Sequence, residues 1–142
     1  MRKAFTMVEL VFVIVVIGIL AGVAVPKFAA TRDDAIISKG ASTLAAVRNA
    51  IATERQKRIL RGDFTEITDL SNGASGKIFS QFNDDKNGKA NPVLEYPLDE
   101  GEGNGEWSKD DNIYTFHYFG GQSCDFNLSN NKLDGECEVF GN

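Results

Sequence analysis

Glu9 is the one charged residue between Lys3 and Lys27, in a run that is otherwise apolar or small. A charged side chain at the centre of a bilayer costs on the order of a few kcal/mol. The chemistry such a carboxylate offers is ion pairing with a cation in low-dielectric surroundings. Cys124 and Cys137 are the two cysteines and could form a disulfide; two thiols with no nearby histidine are too few for a metal site. His117, the one histidine, stands in an aromatic segment with no Ser-His-Asp or Cys-His arrangement around it, so it reads as structural or surface. No phosphate-binding glycine motif is present, and nothing in the sequence argues for an enzyme. Asn83-Asp84-Asp85-Lys86-Asn87-Gly88 begins like a calcium loop, with oxygen ligands at alternate positions and Gly at the sixth. Its twelfth position is Leu94, and Glu95 comes one residue late. A solvated turn is the plainer reading, with calcium the only cofactor left open.

The apolar run is long enough to position Glu9 inside a membrane. At ~1.5 Å per residue it spans roughly 35 Å as a helix, against a hydrocarbon core of ~30 Å. Arg2 and Lys3 precede it, and positive charge holds that end in the cytoplasm and sends the remainder across. At Ala4-Phe5 a small residue meets a large aromatic one where the charge stops. Three plainer readings compete: a secretory signal cut near Gly22-Val23-Ala24, a simple single-pass anchor, and a buried soluble helix.

The segment RKA-FTMVELVFVIVVIGILAGVAVP resembles the N-terminal signal of the type IV pilin and pseudopilin superfamily: a basic leader, a small residue, then F-T-x-x-E and an apolar helix. The resemblance covers residues 2 to about 30. It implies that prepilin peptidase cuts between Ala4 and Phe5 and methylates the amino group of Phe5. Gly is usual before the cut, and Ala4 is the departure here. Glu9 takes the place of the family's glutamate and Pro26 that of its helix proline. The resemblance further implies an assembly platform protein and a motor ATPase as partners. It places the chain in the bacterial inner membrane, single-pass, with a cytoplasmic N-terminus and a periplasmic head, before assembly into a periplasmic or cell-surface filament.

A filament has a physical use for these residues. After cleavage Phe5 carries a positive amine, and methylation keeps that charge. Glu9 lies one turn away on the same chain, or within reach of a neighbour's amine when helices are offset. Since an unpaired charge in an apolar bundle is costly, the pair can set the register of an incoming subunit. The structural alternative is that Glu9 snorkels to the cytoplasmic interface. Gly18 and Gly22 form a G-x-x-x-G pair that permits close helix approach. Together with Pro26 they weaken the helix over residues 18–26; in related filaments this stretch can lose helicity on assembly.

Beyond Pro26, Ile37, Ala41, Leu44, Val47 and Ile51 recur at helical spacing. Basic residues cluster at 48–61, and Gly62 supplies a stop. One helix is expected from about Phe5 to Leu60. Residues 62–112 read as loop-rich, with a short helical piece at Lys77–Phe82, tethers at Val93–Leu98 and Trp107, and a solvated acidic loop at Asp99–Asp111. Residues 113–140 read as a strand meander: Ile113–Phe119, then a strand alternating Cys124, Phe126 and Leu128, then one alternating Leu133, Cys137 and Val139. An Asn130-Asn131 turn pairs Leu128 with Leu133 and Cys124 with Cys137, the latter at a non-hydrogen-bonded position within disulfide range. The expected fold is α+β: a long N-terminal transmembrane and stalk helix packed on a small antiparallel β-meander head. Its divisions are a leader at 1–4, a transmembrane or filament-core helix at 5–26, an amphipathic stalk at 27–61 and a head at 62–142.

Charge divides the same way. Residues 27–61 hold eight Lys and Arg against three Asp and Glu, whereas residues 62–142 hold five against sixteen. An acidic head could pack on a neighbour's basic stalk, or both could be solvated faces. The acidic head argues against nucleic-acid binding; weak DNA contact remains open only at the basic cluster of 48–61. The sequence therefore points to a structural subunit of a type IV pilus-like filament. The alternatives are a pseudopilin of a type II secretion system and, from another class, a membrane-anchored binding module that does not polymerise.

Overall fold

The computed structural model describes residues 5–141, and at Pro26, Ala29 and Ala30 the backbone alone. Helix α1 runs from Met7 to Leu60 without a break, through Gly18, Gly22 and Pro26. It is followed by a two-stranded sheet, β1 (Lys77–Ile78) with β2 (Leu98–Asp99). A four-stranded antiparallel meander comes next: β3 (Trp107–Asp110), β4 (Ile113–Tyr118), β5 (Gln122–Ser129) and β6 (Lys132–Asp134). The chain falls into two compact units that meet between Ala35 and Ile36, so residues 36–60 of α1 belong with the head.

In the head, alternation drives the sheet. Tyr114, Phe116 and Tyr118 of β4 and Cys124, Phe126 and Leu128 of β5 are buried, while the residues between them are partly or fully exposed. Period-2 burial of this kind marks a sheet with one covered face. Trp107 of β3 joins them, its ring 5.1 Å from that of Phe116 and 5.6 Å from that of Phe126. The cover is α1, which buries Gly40, Leu44, Val47 and Ile51 at spacings of three and four. Ile36, rather than Ile37 or Ala41, extends this seam toward the N-terminus. Gly40 is where helix and sheet come closest: a Cβ there would lie 2.5 Å from the Phe116 ring.

The Asn130-Asn131 turn has φ of 51° and 59°, the positive values of a tight hairpin. It sets the expected register, with Ser129 opposite Lys132 and Leu128 opposite Leu133. The third strand is shorter than its alternation predicts. β6 stops at Asp134, and Glu138–Phe140 form a 3-10 turn in place of strand. The reason lies at Gly135, where a Cβ would come within 2.5 Å of the Asp125 carbonyl oxygen, so the backbone itself crosses close to β5. Cys124 and Cys137 do form a disulfide, with Cα atoms 5.5 Å apart. They meet beyond the end of the ladder, not as a paired position within it.

Two other expectations are corrected. Lys77–Phe82 is not helical. Lys77 and Ile78 pair with β2, and Phe79 takes φ 55°, which turns its fully buried ring into stacking with Tyr114 and edge contact with Trp107. Burying a ring of this size is worth roughly 1.5–3 kcal/mol, enough to offset one left-handed residue. The Asp99–Asp111 run is not a plain loop either, since it contains β3, and Glu100 bridges to Trp107.

Gly40→Ala is expected to lower stability by about 1–3 kcal/mol through overpacking. Adding Phe116→Leu should recover part of that loss, read by thermal melts of the full chain in detergent.

Candidate functional site

The N-terminal part of α1 carries the residues that the sequence singles out for assembly. Ala4 lies outside the described residues; Phe5 is exposed. The Glu9 backbone N–H donates to Thr6 Oγ1 at 3.3 Å. Thr6 is thus an N-cap for α1, and Glu9 stands three residues on, the spacing of a capping box. The T-x-x-E spacing could have revealed this role of Thr6, and the sequence reading passed over it. Met7–Val25 is long and apolar enough to cross a membrane, with a mean hydropathy of 2.9, and none of it is buried within the chain. Space around Gly18 and Gly22 is open, with no atom within 4 Å of an added Cβ. They stand one turn apart on one side of the helix.

The head end of α1 is held by charge. Glu54 and Arg58 are both about 2% exposed and paired at 3.0 Å, one turn apart. The Asn91 side-chain amide donates to both Glu54 carboxylate oxygens, and Arg58 also donates to the Asn83 carbonyl. Buried ions need this many partners. Past the helix stop, Asp63 accepts from the Thr65 and Lys86 backbone N–H groups. Hydrogen bonds from the Thr65 side chain and backbone hold its carboxyl at about 2, below its ordinary 3.8.

The calcium-like loop is spent on the same job. Asp85 Oδ1 accepts from the Asn87 and Lys89 backbone N–H groups, and these bonds lower its pKa, Lys89 first. Its Oδ2 is 3.6 Å from the Arg61 guanidinium. Asn83 caps residues 66–69: its Oδ1 accepts from the Thr68 N–H, and its Nδ2 donates to the Glu66 carbonyl. Among the described residues, no three His, Cys, Asp or Glu side chains are grouped to hold a metal ion.

A third cluster ties residues 69–70 to the sheet. The Tyr114 hydroxyl accepts from the Leu70 N–H and donates to Asp69, which also receives Lys109 Nζ at 2.8 Å. Burial pushes the Tyr114 phenol up. Burial also acts to raise Asp69, but the Lys109 hydrogen bond leads the partners that leave it lowered. His117 is half-buried, its Nε2 2.7 Å from Ser108 Oγ, in a structural strand-to-strand contact.

The basic stalk is largely turned inward. Arg48 donates to the Leu133 and Gly135 carbonyls at 3.0 and 2.9 Å and lies over the Phe126 ring. Arg58 is buried, and Arg61 faces Asp85 and Glu54. These three cations serve their own head, so stalk and head do not present two simple surfaces of opposite charge.

Over 59 residues the chain is 49% identical to the type IV narrow pilus major component PilA5 of Thermus thermophilus. The match supports the type IV pilin superfamily. It covers 40% of this chain and 51% of that protein, so the chain spans about half the length of its curated relative. A long apolar N-terminal helix with a small antiparallel C-terminal sheet is the pilin-like α+β arrangement. No family model and no solved structure matches the chain.

Arg58→Met strands a buried carboxylate and is expected to cost about 3–5 kcal/mol; adding Glu54→Leu should cost less than the single change, as read by denaturant unfolding. A carboxyl held below its ordinary pKa stabilises the fold above that ordinary value, and this is lost as pH falls through the folded one. The melting temperature should therefore be flat from neutral to about pH 5 and fall between about pH 4 and 2. Asp63→Asn should lower it at neutral pH and make the acid fall shallower.

Proposed function

We propose that this chain is the structural subunit of a type IV pilus, assembled through its N-terminal helix. The observation that carries this reading is the state of Met7–Val25: an apolar helix segment wholly unburied within its own chain. Exposed apolar surface on that scale calls for a membrane or for other protein, and a pilus subunit meets both in turn. The match to a pilus major component favours a pilus over a secretion pseudopilus. A binding module that never polymerises has no observation in its favour.

In this reading residues 1–4 are a leader that prepilin peptidase removes between Ala4 and Phe5, with methylation of Phe5. Residues 5–26 anchor the subunit in the inner membrane, head periplasmic, and later form the filament core; residues 27–61 are the stalk and 62–142 the head. The Phe5 amine of one copy meets the Glu9 carboxylate of another and fixes their offset. Gly18 and Gly22 let neighbouring helices approach, and Pro26 marks where the helix can open during assembly. The platform protein and motor ATPase drive extraction from the membrane. The chain's part is structural, and its peptidase acts on it as a substrate.

Mass spectrometry of the mature chain is expected to find methylated Phe5 at its start; a chain beginning at Met1 or downstream of Val25 would sink the reading. Glu9→Ala is expected to reduce sheared filaments at least about tenfold, since it leaves the amine unpaired in an apolar core, without changing the amount of membrane-held subunit.

A further inference from the structure

Once the inward-facing arginines are accounted for, the exposed charges of the head separate along α1. One group surrounds the helix end. Arg55 and Lys57 are exposed there, and Lys86 joins them, donating its Nζ to the Arg61 and Gly62 carbonyls at 2.9 Å. The carboxylates of Glu54, Asp63 and Asp85 are buried beneath and engaged by their own partners, which leaves Glu66 and Asp84 as the exposed acids of residues 54–89. Among these bases stand apolar side chains with nothing over them: Leu60 is 87% exposed and Phe64 83%.

The other group lies some twenty helix residues back. Residues 90–108 contain no Lys or Arg, and Glu95, Asp99, Glu100, Glu102 and Glu106 are all exposed, Asp99 being already paired with Lys77. Its residues 97–107 sit where residues 36–39 of α1 pass: a Cβ on Gly105 would touch Ile36 at 3.4 Å, and Lys39 lines a cleft with residues 97–99 and 105–107. It carries its own uncovered aromatic, Tyr96, which is 80% exposed. At 1.5 Å per residue, residues 97–107 are roughly 30 Å from the helix end along α1; the loop begins nearer to it, where Pro92 and Val93 line a cleft with Ala50 and Lys57.

A basic patch with an apolar centre and an acidic patch with an aromatic, at separate places on one head, form two halves of a heterologous contact. Such a contact does not close on itself by pairing like with like; it propagates head to tail. We infer that the helix end of one copy, with Leu60 and Phe64 at its centre and Arg55, Lys57 and Lys86 around them, docks on the 95–106 loop of the next copy around Tyr96. The occupant is a second copy of this chain. A polyanion would need an open run of cations, whereas here the centre of the patch is apolar and the head as a whole is strongly acidic, which repels phosphate. The inference rests on the filament reading and adds to the helix core a second, head-level contact, weakened by salt as exposed charge pairs are.

Filaments sheared from cells making a mixture of ordinary and heavy-isotope chains are treated with a zero-length carbodiimide. Mixed-isotope peptides joining residues 95–106 of one copy to Lys57 or Lys86 of another are expected; cross-links between copies that all lie elsewhere would overturn the contact. Glu95→Lys with Glu102→Lys, and separately Arg55→Glu with Lys57→Glu, should each cut filament yield at least tenfold. All four changes together should restore it several-fold, with subunit melting temperatures unchanged throughout. If each pair of changes leaves the yield at the wild-type level, the head-to-tail contact is wrong and the pilus reading stands. If wild-type cells yield no filament at all, both are wrong.

Discussion

The head depends on residues 36–60 of α1 lying across the aromatic face of its sheet. Trp107, Tyr114, Phe116 and Phe126 share one face, and a small domain of this kind cannot close a second layer over them from its own strands. The helix supplies that layer. Gly40 lets it come close to Phe116, and Leu44, Val47 and Ile51 fill the seam. Arg48 then fastens it to the carbonyls of the last hairpin. Segment 63–91 adds Ile67, Leu70, Ile78, Phe79 and Phe82 to the core and is also tied to the helix end by the Glu54–Arg58 pair, Asp63, Asn83 and Asp85. Residues 36–60 are therefore part of the head's own core.

The first part of the same helix obeys a different rule. Its side chains are apolar on every side and none is buried within the chain, so its stability as a helix comes from backbone hydrogen bonds and an N-cap. Thr6 provides the cap, and Glu9 follows at the spacing that favours a helix start. The T-x-x-E stretch is thus a helix-initiation motif, whose cap uses the Glu9 backbone N–H.

Legibility differed by kind of interaction. The apolar run, the helix to Leu60 and the Asn130-Asn131 hairpin could be read because each rests on local periodicity or on a turn that fixes its own register; the cysteines do pair, but past the end of that ladder. The 3-10 turn at Glu138–Phe140 could not, since it follows from Gly135 crossing the Asp125 carbonyl, a contact between strands. Phe79 misled the reading of Lys77–Phe82 because burial among Trp107 and Tyr114 overrode local propensity. Arg58 reads in sequence as one of a basic cluster and Asp85 as part of a solvated turn. Only burial shows that Arg58 pairs with Glu54 and that Asp85 faces Arg61.

The sequence by itself determined where the chain is apolar without relief, where a helix must begin and end, and where a two-residue turn folds the last hairpin, because these depend on neighbours within a few residues. Tertiary structure alone decided which cations of the stalk face inward, which acids are buried, and which charges are left exposed at two separate places on the head. Charge in a sequence has a sign but no direction; the direction appears only when the helix lies down on the sheet and burial selects the side chains that must find partners.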